Sequence, residues 1–339
     1  MLTILRRFGS GAFLSLAVVA PLSAASPSSQ SSQSPPNEVL RGPGTPVLSM
    51  AFSPVDHLLA SSGDDGSVRL WNTRTGDAVR TLVDKGDPVD AVAFSGDGRR
   101  LATAGHDGRI TVFDPQSGQT IHTFTASTFW CLGLALSPDG KLAACSSTGK
   151  LSVWDVESGN QVQSLTTWSG VLAWSPDGRF LAAGSTVIDL WDTATWRKAK
   201  TLGGHAGEIR GLAFSPDGSR LATASIDTTV RLWRVDTGER TWTLRSEGVA
   251  FPTRQGITGD PVRLPVLAVA FSPDGKRLVT GGTDRAVRLW NVDSGTLLET
   301  LTGHTMTVTG VAFLEDGKRI ASSSLDHTIR LWDLDRAAD

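Results

Sequence analysis

The sequence has no tyrosine, only three methionines and only two cysteines, Cys131 and Cys145, among its 339 residues. Two cysteines are too few for a disulfide-rich scaffold or for a zinc site built from four thiolates. Charged residues are also few, at 19%, and the formal net charge is −2. Because proteins that bind nucleic acid neutralise its phosphates with an excess of positive charge, we expect no nucleic-acid partner.

Long hydrophobic runs are lacking as well. The apolar segment at residues 13–22 is shorter than the roughly 20 residues that a transmembrane helix needs. It follows Arg6 and Arg7 and precedes small residues up to Ala25, an order typical of a secretory signal peptide. We therefore predict a signal peptide at 1–25 and an exported protein, periplasmic or secreted. An N-terminal membrane anchor is the alternative, and the general and twin-arginine export routes both stay open.

The segment after the predicted signal peptide, residues 26–36, reads SPSSQSSQSPP. It contains nothing apolar to bury, so it is predicted to be a linker. No later stretch is apolar enough to cross a membrane, so the mature chain is expected to have no membrane span.

A repeat fills the chain from residue 37 to residue 339. One aromatic position recurs at intervals of 42, 41, 37, 42, 57 and 42 residues. The seven aromatic residues are Trp71, Phe113, Trp154, Trp191, Trp233, Trp290 and Trp332. A fixed period of this length predicts a protein made of seven copies of one small structural unit.

Each copy is predicted to form four short strands. A segment such as VAF is followed by a Ser-Pro-Asp-Gly turn, at 215–218 and again at 272–275. Proline suits the first corner of such a turn, and glycine tolerates the positive φ near its end. A four-stranded sheet of this size cannot bury both of its faces, whereas seven sheets packed radially can.

The repeat resembles the WD40 family in its Gly-His pairs at 204–205 and 303–304, its turn aspartates and its Trp-Asp pairs at 154–155, 191–192 and 332–333. The resemblance implies an all-β, seven-bladed β-propeller that acts as a binding platform without chemistry of its own. In this family the repeat runs out of phase with the blade. Residues 37–40, NEVL, align with a fourth strand, so we expect them to pair with the last blade and close the ring.

Two copies carry a set of residues that could be taken for a hydrolase site. The first set is His205, Asp227, Trp233 and a hydroxyl from Ser225 or Thr223; the second is His304, Asp326, Trp332 and a hydroxyl from Ser324 or Ser322. In the WD40 family such residues form a structural hydrogen-bonded tetrad inside the blade. Repetition in two blades also favours architecture over catalysis, so no catalytic residue is assigned.

The tetrad is incomplete elsewhere. The histidine position holds Pro43, Lys85, Ser127 and Val262, and the aspartate position holds Thr148 and Ser185 in blades three and four. These two blades are therefore expected to be the least regular. The other histidines stand singly, and no glycine-rich loop precedes a helix, so neither a metal nor a cofactor is expected. The two cysteines of blade three either pair in an oxidising compartment or stay buried as free thiols.

WD40 partners most often bind the face formed by the loops before each first strand and by the aspartate turns. Aligning the seven copies places many large side chains there, as expected of an interaction patch. The candidate partner-binding residues are Leu48, Trp130, Leu132, Trp168, Arg210, Ile226, Leu267 and Leu325, with Phe251 and Arg254 from an insertion within 246–264. Alternatively, Trp130 and Trp168 pack under neighbouring loops.

The sequence thus predicts a non-catalytic scaffold, monomeric by itself, that presents a rigid propeller face to a protein or peptide partner of unknown identity. Two rival functions stay open. One is a propeller enzyme, a periplasmic hydrolase or dehydrogenase, which would need reactive groups converging on the central channel. The other is a sensor of a small ligand or glycan that uses Trp130 and Trp168.

Overall fold

The structure is a computed structural model, and it describes residues 38–41, 44–127, 130–147, 149–245, 263–314 and 317–334. The predicted signal peptide and linker lie outside this part of the chain, as do Phe251, Arg254 and most of the insertion. The described residues form strands and turns without a helix, in seven four-stranded antiparallel sheets. Each sheet is one blade.

Blades one to four follow one another along the chain, and each is a meander of four strands. Blade one contains β2 (Val47–Phe52), β3 (Leu58–Gly63), β4 (Val68–Asn72) and β5 (Ala78–Val83). Blade two contains β6 (Val89–Phe94), β7 (Leu101–Gly105), β8 (Arg109–Phe113) and β9 (Thr120–Thr125). Blade three contains β10 (Gly133–Leu136), β11 (Leu142–Ser147), β12 (Lys150–Asp155) and β13 (Gln161–Thr166). Blade four contains β14 (Val171–Trp174), β15 (Phe180–Gly184), β16 (Ile188–Asp192) and β17 (Arg197–Leu202).

Blades five and six repeat the same order, and blade seven takes its fourth strand from the N-terminal part of the chain. Blade five contains β18 (Ile209–Phe214), β19 (Arg220–Ser225), β20 (Thr229–Arg234) and β21 (Arg240–Arg245). Blade six contains β22 (Val266–Phe271), β23 (Arg277–Gly282), β24 (Val287–Asn291) and β25 (Leu297–Leu301). Blade seven contains β26 (Val308–Phe313), β27 (Arg319–Ser324), β28 (Thr328–Asp333) and β1 (Glu38–Arg41).

The predicted closure of the ring is confirmed. Strand β1 pairs with β28, with Glu38 opposite Leu331 and Arg41 opposite Thr328. The first strands contact one another in sequence around the ring, and β26 contacts β2 to complete it. Leu40 is buried in a cluster that joins blade seven to blade one and includes Val47 and Trp71. Closure therefore combines a hydrogen-bonded strand pair within blade seven with apolar packing between the last and first blades.

Burial follows the position of a strand in its blade. The second strands are almost wholly buried, because neighbouring blades cover both of their faces. The fourth strands are largely exposed. The tight turns at the outer corners use glycine with positive φ, as at Gly218 with φ +70°. In that turn the Ser215 hydroxyl donates to Asp217 Oδ1 at 2.5 Å, which closes the predicted Ser-Pro-Asp-Gly corner.

Blades three and four have shorter first strands than the other five. Strands β10 and β14 have four residues each, whereas the other first strands have six. In the other five blades the register of the first strand shifts near its beginning, as between Ile209 and Gly211. Strands β10 and β14 begin only after that point. No helix long and apolar enough to span a membrane occurs in the part of the chain that the structure describes.

Candidate functional site

The meander of each blade sorts its connections into two ends. The loops that lead into the first strands and the turns between second and third strands lie at one end, here called the entry face. The turns between first and second strands and between third and fourth strands lie at the opposite end. The candidate residues that the structure describes, all except Phe251 and Arg254, belong to the entry face or to the tetrads just beneath it.

In blade five the tetrad links the entry face to the middle of the sheet. His205 lies in the loop before β18, and its Nδ1 is 2.8 Å from Asp227 Oδ2. Its Nε2 is 2.7 Å from Thr223 Oγ1, which also accepts a hydrogen bond from Trp233 Nε1 at 3.1 Å. The Ala206 amide donates to the same oxygen of Asp227 at 2.9 Å. One carboxylate thus anchors the entry loop to the turn, and the histidine anchors it to the sheet.

Blade seven repeats this arrangement. His304 Nδ1 is 2.8 Å from Asp326 Oδ2, and its Nε2 is 2.8 Å from Ser322 Oγ. Trp332 Nε1 donates to Ser322 Oγ at 2.7 Å, and the Thr305 amide donates to Asp326 at 2.9 Å. The same geometry in two blades marks the tetrad as a repeated structural element.

The tetrad hydroxyls come from Thr223 and Ser322 and not from Ser225 and Ser324. Strand register is the reason. Leu221 pairs with Trp233, and Thr223, two residues after Leu221, points to the same side of the sheet as the indole. Ser225 instead accepts from the Asp227 amide at 3.1 Å and donates to the Gly207 carbonyl at 3.1 Å. Ser324 makes the corresponding two bonds in blade seven. These two serines shape the turn next to the tetrad.

The environment keeps both tetrad histidines neutral. Burial lowers the pKa of His205 and of His304, although the adjacent aspartate favours the protonated form in each case. Burial alone would raise the pKa of Asp227, but hydrogen bonds from Thr229, His205 and the Ala206 amide outweigh it and lower the pKa to about 2. A neutral histidine that donates through Nδ1 and accepts at Nε2 lets every tetrad donor find one acceptor.

The tetrad is poorly placed for hydrolysis. The side chains of His205 and His304 are fully buried, and Thr223 and Ser322 are fully buried as well. A nucleophilic hydroxyl needs access to a substrate carbonyl and donors for the developing oxyanion, and these hydroxyls meet only their own sheet. No group of three or more His, Cys, Asp or Glu side chains that could hold a metal occurs among the described residues.

The other blades keep or replace parts of the tetrad. Trp71 donates to Ser61 at 2.8 Å in blade one, and Trp290 donates to Thr280 at 2.9 Å in blade six. In blades three and four the hydroxyl position holds Cys145 and Ala183, which pair with Ser152 and Asp189 of the next strand. Trp154 Nε1 and Trp191 Nε1 are consequently buried without a hydrogen-bond partner among the described residues.

Blade four carries a different polar network in place of the tetrad. Asp189 stands where blades five, six and seven have Arg231, Arg288 and Arg330. It is nearly buried, and its carboxylate lies 2.7 Å from Lys198 Nζ and accepts from Thr201 Oγ1 at 2.7 Å. In blades five and six this third-strand position is positively charged instead. Arg231 pairs there with Asp227, and Arg288 pairs with Asp284, in each case an aspartate of the preceding turn.

Exposed large apolar side chains gather on the entry face of three consecutive blades. Trp130 and Leu132 belong to blade three, Trp168 and Val187 to blade four, and Ile226 to blade five. We call these five residues the tryptophan surface. Other exposed apolar side chains, such as Val79, Ile121, Val162 and Leu298, stand singly on the fourth strands of different blades. Single exposed apolar residues are ordinary, whereas a cluster at one end of adjacent blades is not.

Each tryptophan of this surface leans on the preceding blade. The Trp130 ring stacks on His106, in the turn of blade two, with ring centroids 4.7 Å apart and planes 14° apart. His106 Nε2 in turn lies 3.0 Å from Asp90 Oδ2. The Trp168 ring lies over Gly149, in the turn of blade three. Even so, Trp130 is 43% exposed and Trp168 is 67% exposed. The rings pack against neighbouring turns on one side and face solvent on the other.

The remaining candidate residues are less accessible. Leu48, Arg210, Leu267 and Leu325 are half-buried on the same face. Arg210 pairs with Glu208 at 2.6 Å. Two exposed apolar residues of the entry face were missed from the sequence, Val187 and Met306. Val187 lies in the shortened turn of blade four, where the alignment of the copies breaks down. That irregularity in the sequence could have indicated an unusual exposed residue at this turn.

Cys131 and Cys145 form a disulfide, with their Cα atoms 5.9 Å apart. Of the two sequence alternatives, the structure therefore has the paired form. Cys145 lies in β11, but Cys131 lies two residues before β10 begins, in the segment that carries Trp130 and Leu132. The bridge thus joins the entry face of blade three to its buried second strand.

Six copies of the repeat match the model of the family described as "WD domain, G-beta repeat". The matched ranges are 34–72, 118–155, 159–192, 196–234, 257–291 and 295–333. The chain belongs to the WD40 repeat family. Residues 81–133, which include all four strands of blade two, match the model described as "Anaphase-promoting complex subunit 4 WD40 domain".

Curated relatives of this WD40 chain include larger proteins. "Periodic tryptophan protein 2" of Arabidopsis thaliana is 30% identical over 264 residues, 76% of this chain and 23% of that protein. Its Schizosaccharomyces pombe homologue is 34% identical over 37% of this chain and 13% of that protein. "WD repeat-containing protein SL1-17" of Schistosoma mansoni is 32% identical over 49% of this chain and 52% of that protein. The chain thus spans about half or less of each of these relatives.

The opposite end of this WD40 propeller has a different character. A cleft of about 850 Å³ lies beside blades four to six and is lined by charged residues together with Phe180 and Trp242. Several of these charges pair with each other, as Arg220 does with Asp293 at 2.9 Å and Arg234 with Asp236 at 3.0 Å. The two ends therefore differ in charge: paired ionic groups line this cleft, whereas the tryptophan surface lies on the entry face.

Proposed function

We propose that this protein is a non-catalytic scaffold that binds a protein or peptide partner through the tryptophan surface. The observation that carries the proposal is the gathering of five exposed apolar side chains on the entry face of blades three to five. Tryptophan side chains are frequent binding hot spots, because a large ring buries much apolar area while losing few rotatable bonds.

The rigidity of the propeller supports this role. Trp130 and Trp168 lie shortly before β10 and β14, and the partner strands β11 and β15 are largely buried. The stacking of Trp130 on His106 and the close approach of Trp168 to Gly149 hold the two rings before any partner arrives. A pre-arranged surface loses less conformational entropy on binding, so more of the contact energy remains as affinity.

A displayed library of random peptides tests the proposal with a defined probe. Peptides are selected on the wild-type protein and then measured on Trp130→Ala/Trp168→Ala. We expect affinity for the selected peptides to fall at least tenfold, because two central aromatic contacts are lost. The matched control is Val79→Ala/Val162→Ala, which removes two exposed apolar side chains from fourth strands and leaves binding unchanged. Equal affinity of the two double variants would refute the proposed site.

A glycan is the second candidate ligand, and the exposed faces of Trp130 and Trp168 favour it. Sugars present C–H faces that stack on aromatic rings, and the rings here are 43% and 67% exposed. An oligosaccharide array probed with the wild type and with Trp130→Ala/Trp168→Ala distinguishes this function from peptide binding. Glycan binding that the double variant abolishes, together with an empty peptide selection, would favour the sensor.

We also propose that the protein acts outside the cytoplasm, in the periplasm or as a secreted protein. The pattern of residues 1–25 supports export, and the Cys131–Cys145 disulfide is the kind of bond that persists in an oxidising compartment. Intact-mass analysis of the protein purified from its own cells is the test. A mature chain that begins at residue 25 or 26 is expected, and an uncleaved chain recovered from the cytoplasm would overturn the proposal.

A further inference from the structure

Cys145 occupies, in blade three, the strand position that carries the tetrad hydroxyl in other blades. Ala143 pairs with Trp154, and Cys145 follows two residues later. Thr280 stands in the same relation to Trp290 in blade six. A sulfur atom therefore lies where the indole N–H elsewhere finds its acceptor, and Trp154 Nε1 is left without one among the described residues.

Cys131 occupies the position of a buried valine or isoleucine at the start of the first strand. In register it corresponds to Val266 of blade six and Ile209 of blade five, which lie opposite the last residues of their second strands. Cys131 is fully buried, although the residues on both sides of it, Trp130 and Leu132, are exposed. The cysteine thus points inward from a segment whose neighbouring side chains point outward.

Two backbone hydrogen bonds hold this segment besides the disulfide. The Cys131 amide donates to the Gly105 carbonyl of blade two at 3.1 Å, and the Leu132 amide donates to the Ser146 carbonyl at 2.8 Å. In blade five the corresponding entry loop is held by His205 through its bonds to Asp227 and Thr223. Ser127 stands at the histidine position of blade three, and the disulfide links the entry segment inward to the second strand.

We propose that the Cys131–Cys145 disulfide takes the place of the tetrad in blade three and positions Trp130 and Leu132 for partner binding. The binding part of this inference rests on the proposed function, whereas the positioning part concerns the segment alone. Closing a 14-residue stretch of chain covalently restricts the segment where a hydrogen-bonded histidine is missing. The cysteines are positioning residues, because they are buried and touch no partner themselves.

The experiment uses two double variants and reduced wild-type protein. Cys131→Val/Cys145→Thr gives blade three the pair that blade six has, so the new hydroxyl can accept from Trp154. Cys131→Val/Cys145→Ala removes the bridge and supplies no acceptor. Reduced wild type is made by refolding in dithiothreitol, whose two thiols give two electrons and two protons to the Sγ–Sγ bond and close to a cyclic disulfide.

Two readouts need no partner. Hydrogen exchange at the amides of residues 131 and 132 reports on how firmly the segment is held, and the amides of β18 serve as the internal control. The ring-proton resonance of His106, assigned with His106→Gln, reports on the stacking of Trp130, because the indole ring current shifts it. Neither readout depends on a ligand. A failed peptide selection would therefore count against the proposed function alone, whereas unchanged readouts would count against the positioning role.

We expect exchange at residues 131 and 132 to be at least tenfold faster in reduced wild type and in Cys131→Val/Cys145→Ala, with the His106 resonance moving toward its unstacked position. In Cys131→Val/Cys145→Thr, the logarithm of the exchange rate should return at least halfway to its value in the oxidised wild type. Unchanged exchange and an unchanged His106 resonance without the bridge would overturn the positioning role. Failure of the threonine variant to recover protection would overturn the equivalence with the tetrad, and two free thiols in unfolded, unreduced protein would overturn both.

Discussion

Blades five and seven differ from blades three and four in the way that their entry loops are fixed. In blades five and seven a histidine reaches inward and joins the loop to an aspartate and a hydroxyl of the same blade. In blades three and four the loops reach sideways, since Trp130 and Trp168 lean on the turns of the preceding blades. A loop that is fixed by a histidine of its own blade buries that side chain. A loop that is fixed by a tryptophan against the preceding blade leaves one face of the ring in solvent.

The same comparison shows that one blade architecture accommodates three kinds of bracing. Blades five and seven use the tetrad, blade three uses a disulfide, and blade four uses the ion pair of Asp189 with Lys198. The backbone of the four-stranded meander is retained in each case. Since packing between blades fixes the sheets, the polar bracing is free to vary. Blades three and four, which lack the tetrad, carry both tryptophans of the tryptophan surface.

Removing the tetrad aspartate should have the largest effect on stability. Asp227→Ala leaves the buried His205 and the Ala206 amide without their acceptor, and it removes the ion-pair partner of the nearly buried Arg231. We expect a loss of about 3–5 kcal/mol, typical of breaking a buried charge pair. The urea midpoint of unfolding measures it.

Ser185→Ala, at the equivalent position of blade four, is the matched control for that change. The backbone bonds of Ser185 with Val187 and Ile209 survive the substitution. We expect a change of about 0.5 kcal/mol or less. Similar losses for the two variants would show that the tetrad is no more important to its blade than the turn backbone alone.

Hydrogen exchange should separate the two pairs of blades without any mutation. Strands β10 and β14 are short, and the indoles of their blades lack acceptors among the described residues. We expect their amides to exchange on the order of tenfold faster than those of β18 and β26, with β14 fastest because blade four has no covalent bridge. Uniform protection of all four strands would contradict the contrast between the blades.

The fold could be predicted from the sequence because the same pattern occurs seven times. Seven aromatic positions at nearly constant spacing specify seven sheets, and the NEVL segment specifies how the ring closes. Details that depend on register were harder to predict. Thr223 and Ser225 are two residues apart on one strand, so composition could not tell which hydroxyl meets Trp233. The network around Asp189 was missed, because a single aspartate in a strand gives no signal until its neighbours are placed.

Replacing tryptophan by phenylalanine isolates the indole hydrogen bond. Trp233→Phe removes the donor to Thr223, whereas Trp191 has no acceptor to lose among the described residues. Both changes remove similar packing, which cancels when they are compared. Trp233→Phe should therefore cost about 1 kcal/mol more than Trp191→Phe in urea unfolding. Equal costs would mean that the tetrad hydrogen bond adds nothing beyond ring packing.

The smallest expected effect is a dependence of stability on pH. Burial lowers the pKa of His205 and of His304 in the folded protein, so below about pH 6.5 the unfolded chain binds more protons than the folded one. The stability that these two histidines contribute is therefore complete above that pH and is lost as the pH falls. Urea midpoints at pH 7.5, 6.5 and 5.5 should decrease in that order.

The pH range matters because the carboxylates titrate lower down. Asp227, with its pKa lowered to about 2, contributes stability above its unfolded value of 3.8 and loses it only as the pH falls further. Measurements above about pH 5 report on histidines together with Glu299, whose pKa is raised by burial and which is present in both proteins compared below. His205→Gln/His304→Gln keeps the four other histidines, so its urea midpoints should depend less on pH than those of the wild type. An equal slope in the two proteins would assign the dependence to groups outside the tetrads, and the neutral state inferred from tetrad geometry would then lack support.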